Sequence, residues 1–102
     1  MSTETDTKRK TQVNTEVKEP PLFRVIYLND HATSMEFVIE SLVEHFDYSS
    51  STAQEIAVAI HEAGSAVVAI LPYEIAEQKG IEVTMSARSQ SYPLQIKLEP
   101  NL

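Results

Sequence analysis

The sequence predicts an α+β domain: a compact β-α-α-β-α-β sandwich in which a three-stranded antiparallel sheet packs against three helices. Three observations carry this. Apolar runs of strand length occur at residues 22–28 and 66–71, and residues 94–98 alternate apolar and polar. Between them, apolar residues recur at steps of three and four, the period of an amphipathic helix. The 102-residue chain confines this patterning to residues 22–99, which is room for one core and no second.

Taken in order, residues 1–19 are rich in Thr, Lys and Glu and hold only Val13 and Val17 as aliphatics after Met1. They are expected to form a disordered N-terminal extension ahead of a core domain at 20–102. Pro20 and Pro21 mark the boundary, because paired prolines force an extended backbone. Residues 22–28 have the aromatic and β-branched content of a strand. Asn29 and Asp30 then favour a turn, and Thr33 with Glu36 fits a capping box for the first helix. That helix places Met35, Val38, Ile39, Leu42, Val43 and Phe46 on one face and Glu36, Glu40 and Glu44 on the other. Phe37 falls off the stripe and is expected to meet another element.

Thr52 and Glu55 suggest a second cap, for a helix that turns Ala53, Ile56, Ala57 and Ile60 inward and ends at Gly64, a residue suited to a left-handed C-cap. The continuous apolar run 66–71 reads as a central strand covered on both sides. Pro72 suits the first turn of a third helix through Ile75, Ala76, Val83 and Ala87. Gly80 inside that helix implies either a close packing contact or a local kink. Residues 91–93 end it, and 94–98 alternate as a last strand.

Composition excludes several classes of function. The absence of cysteine removes disulfides, thiol nucleophiles and thiolate metal sites, and accords with a reducing cytoplasm. No run reaches the roughly 18 apolar residues of a membrane span. Residues 1–20 hold four acids and four bases, so the whole net charge of −7 belongs to residues 21–102. An acidic domain is a poor partner for nucleic acid. It favours a cationic ligand or partner, or simply confers solubility.

Catalytic constellations are weak. Asp30, His31, Thr33, Ser34 and His61 allow a triad on paper, but there is no nucleophile elbow and no Gly-rich oxyanion turn. His61-Glu62 begins like a zinc-protease helix, yet Ser65 stands where the second His would be. With Gly64 and Gly80 the only glycines, no phosphate-cradling loop is present. No cofactor or metal is expected. A recognition site remains: Asn29 offers a carbonyl, Asp30 a charge and His61 a ring nitrogen, all acceptors for an ammonium group. The plainer reading of His61 alone is a core-edge histidine satisfied by backbone.

Pro20-Pro21, Leu28-Asn29-Asp30, the helix start from Thr33 to Val38, Ile60-His61, residues 74–79 and Pro93-Leu94 together resemble the ATP-dependent Clp protease adaptor family, ClpS, in register over residues 20–99. The resemblance implies a non-enzymatic adaptor. It would bind substrates by an N-terminal Phe, Leu, Trp or Tyr (an N-degron) and pass them to an AAA+ Clp unfoldase of the ClpA or ClpC type. It further implies that Asn29, Asp30 and His61 hold the free α-amino group. Leu28, Thr33, Met35, Val38, Ala57, Ile60 and Leu94 would line a pocket for the first side chain, Met35 guarding it against β-branched residues. Glu74 and Lys79 would meet the unfoldase, residues 1–19 would be the segment it engages during delivery, and the protein would be monomeric and cytoplasmic.

Four positions depart from the family pattern: His31 stands where a second Asp is usual, Ala57 where Met is common, Ser34 where Pro is usual and Pro72 where a capping Thr is usual. The first alters the charge beside the amino group, and the second would deepen the pocket toward Trp, Tyr or Phe. Two alternatives remain at this level. One is a generic interaction domain resembling the ribosomal stalk protein's C-terminal domain; the other is a diverged adaptor of narrowed specificity.

Overall fold

A computed structural model describes residues 19–102. Of residues 1–19, expected to form an extension, 1–18 lie outside the described residues. The elements follow as β1 (Leu22–Leu28), α1 (Met35–Phe46), α2 (Ser50–Ala63), β2 (Ser65–Pro72), α3 (Tyr73–Ser89) and β3 (Gln95–Pro100). The sheet order is β2-β1-β3 and both pairings are antiparallel. This is the α+β sandwich expected from the sequence.

β1 is the centre. Val25 and Tyr27 point toward the helices and are fully buried among Phe37, Leu42, Val68, Val83 and Leu94. Burial of large side chains of this kind supplies the main stabilisation, about 1.5–3 kcal/mol for each. The run 66–71 is therefore not the covered central strand its composition suggested. It is an edge strand, with Val67 45% and Ile70 47% exposed. Its alternation is disguised because the register with β1 shifts between Val25 and Ile26, where Val25 pairs with Ala69 and Ile26 with Val67. Val68 is left over and turns into the core. The Tyr48 hydroxyl donates to the Val68 carbonyl at 2.6 Å, which covers the middle of this edge.

Both expected capping boxes are displaced by one or more residues. Ser34, not Thr33, caps α1, its hydroxyl accepting from the Phe37 amide at 3.0 Å. Ser49, not Thr52, caps α2, accepting from the Thr52 amide at 3.2 Å. In each case a serine in extended backbone stands immediately before the helix and competes successfully for the cap. Phe37 reaches the loop after α3 and packs on Tyr92, ring centroids 5.4 Å apart. Val43 lies at the margin of its stripe, 37% exposed.

α3 starts at Tyr73, with Pro72 just outside as an N-cap that makes no side-chain hydrogen bond. Its buried stripe is Ala76, Val83 and Ala87, whereas Ile75 is 46% exposed. Gly80 falls on the stripe between Ala76 and Val83, within an uninterrupted helix, facing Ile96. A Cβ there would meet the Ile96 Cγ2 at 3.7 Å, an ordinary contact, so neither tight packing nor a kink explains the glycine. Its effect is to leave space between α3 and β3.

Candidate functional site

The site grows from the turn between β1 and α1. Asp30 organises it: Oδ1 accepts from the amides of Ala32 at 2.8 Å and Thr33 at 2.6 Å, and Oδ2 accepts from the Thr33 hydroxyl at 2.8 Å. Partial burial pushes the Asp30 carboxyl up, but these donors and the neighbouring His31 outweigh it and hold it below the usual carboxylate range. Three of about four acceptor positions are thus used within the loop. What remains for a ligand is one lone-pair direction and the negative charge.

The Asn29 amide donates to the Gly64 carbonyl at 2.9 Å, joining this turn to the one that ends α2. Gly64 adopts φ 94°, a left-handed conformation open to glycine at little cost, and its own amide closes on Ile60. His61 stands in the last turn of the same helix and is exposed. The two turns are tied together, and the polar groups of Asn29, Asp30 and His61 converge on one rim.

Behind that rim lies a cavity of about 240 Å³. Asn29, Asp30, His31, Thr33 and His61 form its polar side, while Met35, Val38, Ala57 and Ile60 form its apolar side. Val38, Ala57 and Ile60 are buried; Met35 is 40% exposed and also borders a shallow groove with Gln54, Glu55 and Val58. Met35 is thus the wall between the cavity and open surface. The volume lies below the roughly 300–1,000 Å³ of sites that enclose a whole small ligand. It suits one side chain, with its backbone left at the rim.

A hydrogen-bonded chain fixes the floor. The Ser41 hydroxyl donates to the Val38 carbonyl at 2.8 Å, so the Tyr27 hydroxyl, 2.7 Å from Ser41 Oγ, is the donor to it. β1 is thereby anchored to α1 one layer behind the cavity wall. Burial pushes the Tyr27 phenol up to about 12.

Two residues expected in the first-side-chain pocket do not line this cavity. Leu28 is the last residue of β1 and lines a separate surface depression with Thr84, Arg88, Gln95 and Lys97. Leu94 is 1% exposed in the core, its carbonyl held by the Arg88 guanidinium at 2.9 Å. Leu28 follows Tyr27 at the end of the strand, so alternation turns it off the face that Tyr27 presents. His31, which the sequence placed at the polar turn but not among the binding residues, also lines the cavity. Ser34 is committed to its cap. Glu74 is exposed on α3, and the Lys79 ammonium lies 5.8 Å from the Phe46 ring centroid. Neither lines the cavity.

A small α+β domain with a side-chain-sized cavity, an acceptor-rich rim and a serine spent on structure is a binding module. Comparison with known proteins defines which kind. The family model for the ATP-dependent Clp protease adaptor protein ClpS matches residues 18–97. The chain is 40% identical over 94 residues to the ATP-dependent Clp protease adapter protein ClpS of Roseobacter denitrificans, covering 92% of this chain and 83% of that one. It is 40% identical over 90 residues to that of Helicobacter hepaticus, covering 88% and 91%. Among solved structures, Agrobacterium tumefaciens ClpS2 bound to L-phenylalaninamide superposes with a TM-score of 0.78 at 36% identity, covering 81% of this chain and all of that one.

The chain belongs to the ClpS family of Clp protease adaptors, and as such is an adaptor and not an enzyme. Adaptors of this family work with Clp unfoldases and their substrates. The stalk-like alternative is thereby set aside.

Proposed function

We propose that this adaptor recognises N-degrons, seating an N-terminal Phe, Leu, Trp or Tyr in the cavity and its free α-ammonium on the rim. The observation that carries this is the convergence of Asn29, Asp30 and His61 on the edge of a cavity sized for one side chain. The L-phenylalaninamide in the Agrobacterium relative has both features of such a terminus, a free α-amine and a benzyl side chain. The Asn29 carbonyl and a His61 ring nitrogen accept from the ammonium, and Asp30 adds its charge. Charge-assisted hydrogen bonds contribute about 1.5–3 kcal/mol each, and burying the side chain about 1.5–3 kcal/mol. After the cost of association, micromolar binding or somewhat tighter is expected.

Thr33, Met35, Val38, Ala57 and Ile60 form the side-chain subsite. Met35 crowds the substrate's Cβ and so rejects Ile and Val, while the short Ala57 leaves depth for an aromatic ring. Substrate is then handed to a ClpA- or ClpC-type unfoldase in the cytoplasm by a monomeric adaptor, with Glu74 and Lys79 on α3 as contacts and the N-terminal arm as the segment engaged.

The test is degradation of a fluorescent reporter with N-terminal Phe, beside one with N-terminal Ile, by Clp protease with and without the adaptor. Acceleration of the Phe reporter alone is expected, and Met35→Ala should extend it to Ile. Equal rates for both reporters with the native adaptor, or no acceleration, would overturn the reading. A truncation removing residues 1–18 should bind N-terminal Phe peptides normally but fail to accelerate degradation.

A further inference from the structure

A second concavity has no part in the proposed site. It runs between α3 and β3, with a volume of about 270 Å³, and shares no lining residue with the cavity. Gly80, Ile81, Met85, Ile96 and Leu98 make its apolar walls and Glu77 stands at its edge. Ile81 is 52% exposed and Met85 67%, the largest exposures among internal apolar residues of the described chain. An apolar strip of this kind marks a contact surface.

Phe23 pairs with Pro100, and the Asn101 amide donates to the Leu22 carbonyl at 2.9 Å, so β1 begins beside the end of β3. Pro20 and Pro21 lie against Tyr73, Glu74 and Ile75 at the start of α3. The described chain therefore begins beside the first turn of α3, at the end of α3 from which the groove runs. α3 advances 1.5 Å per residue, so Met85 lies about 15 Å from Ile75. An extended arm advances about 3.3 Å per residue, which puts Val17 about 10 Å and Val13 about 23 Å from Pro20. These are the arm's only aliphatics after Met1, and their reach spans the Gly80 to Met85 stretch.

Charge fits as well. Lys18 is two residues from Pro20, which borders Glu74, and Lys8, Arg9 and Lys10 precede a body that carries the whole charge of −7. We infer that the α3–β3 groove receives the chain's own N-terminal arm, with Val17 and Val13 on Ile81 and Met85 and Lys18 against Glu74 and Glu77. The docking itself stands apart from the N-degron reading. Taken with that reading, it has a consequence: an unfoldase that binds α3 at Glu74 and Lys79 displaces the arm from the neighbouring groove and frees it for engagement.

The chain's lack of cysteine makes the test direct. A nitroxide on Thr15→Cys of the full chain, read on methyl signals by NMR, should broaden Ile81, Met85 and Ile96 far more than Val38 or Ile60. Adding Ile81→Gln and Met85→Gln, both at exposed positions, should abolish that preference, with chemical shifts elsewhere reporting an intact fold. Broadening spread evenly over the surface, broadening at Ile96 unchanged in the double variant, or equal broadening on unlabelled molecules mixed with labelled ones would overturn the inference; the last would mean that a second copy occupies the groove. Peptide affinity at the cavity, measured in parallel, is expected to stay unchanged, so failure of one reading leaves the other intact.

Discussion

The cavity at the end of β1 and the groove along α3 differ little in volume, about 240 against 270 Å³, and are built in opposite ways. Around the cavity, the turn is held by three hydrogen bonds to Asp30, α1 starts on a serine cap, and Tyr27, Ser41 and Val38 form a chain behind the wall. Beside the groove, α3 starts on Pro72 with no side-chain cap, carries a glycine in its middle and exposes Ile81 and Met85. The contrast separates two kinds of recognition. A site that must reject a single branched carbon needs fixed walls, whereas a surface that takes extended chain can rely on exposed apolar area.

That contrast is sharpened first by the rim. His61→Ala and Asn29→Ala should each weaken an N-terminal Phe peptide by about 1.5–3 kcal/mol, roughly ten- to hundredfold, with the melting temperature little changed. Isothermal titration checks this; a loss shared equally with an N-acetylated control would show that the rim does not read the amine. Next comes the joint between the two turns. Gly64→Ala forces a Cβ into a left-handed backbone and should destabilise the domain by about 1–2 kcal/mol in chemical denaturation. Open space around the glycine means that no clash contributes.

The hidden chain behind the cavity is then addressed by Tyr27→Phe, expected to cost about 1 kcal/mol. It also has a pH signature. The folded phenol is raised from 10.0 to about 12, so its contribution is complete below pH 10 and is lost as pH rises through 12. The native protein should therefore lose stability over that window faster than the Phe variant; parallel pH profiles would contradict the assignment. The smallest effect belongs to the groove. Gly80→Ala should stabilise the domain by about 0.8–1 kcal/mol, since the new methyl group meets Ile96 at ordinary distance. Destabilisation would mean that α3 and β3 cannot tolerate even this filling.

How much of this was legible in the sequence depends on whether local pattern or tertiary packing decides. All six elements could be read because their periods of two and 3.6 are local. The sheet order could not: β1 and β2 are both apolar runs, and only the leftover Val68 distinguishes a bulged edge from a covered centre. Caps were misplaced because Ser34 and Thr33, or Ser49 and Thr52, are equally competent oxygens whose choice rests on backbone position. Asn29, Asp30, Met35 and His61 could be singled out from resemblance and turn chemistry. The positions of Leu28 and Leu94 depend on strand direction and on Arg88, three-dimensional facts that no spacing reveals. The groove was invisible, since Gly80 read in sequence is only a weak helix residue.

On this reading the rim recognises a free amine while the cavity recognises one side chain. Fluorescence anisotropy with short labelled peptides starting in Phe, Leu, Trp, Tyr or Ile, beside an N-acetylated Phe peptide, tests it most directly. Free Phe-type termini should bind at about micromolar or tighter, and the Ile and acetylated peptides weakly or not at all. Equal binding of free and acetylated Phe, or no binding to any peptide by the folded domain, would contradict it.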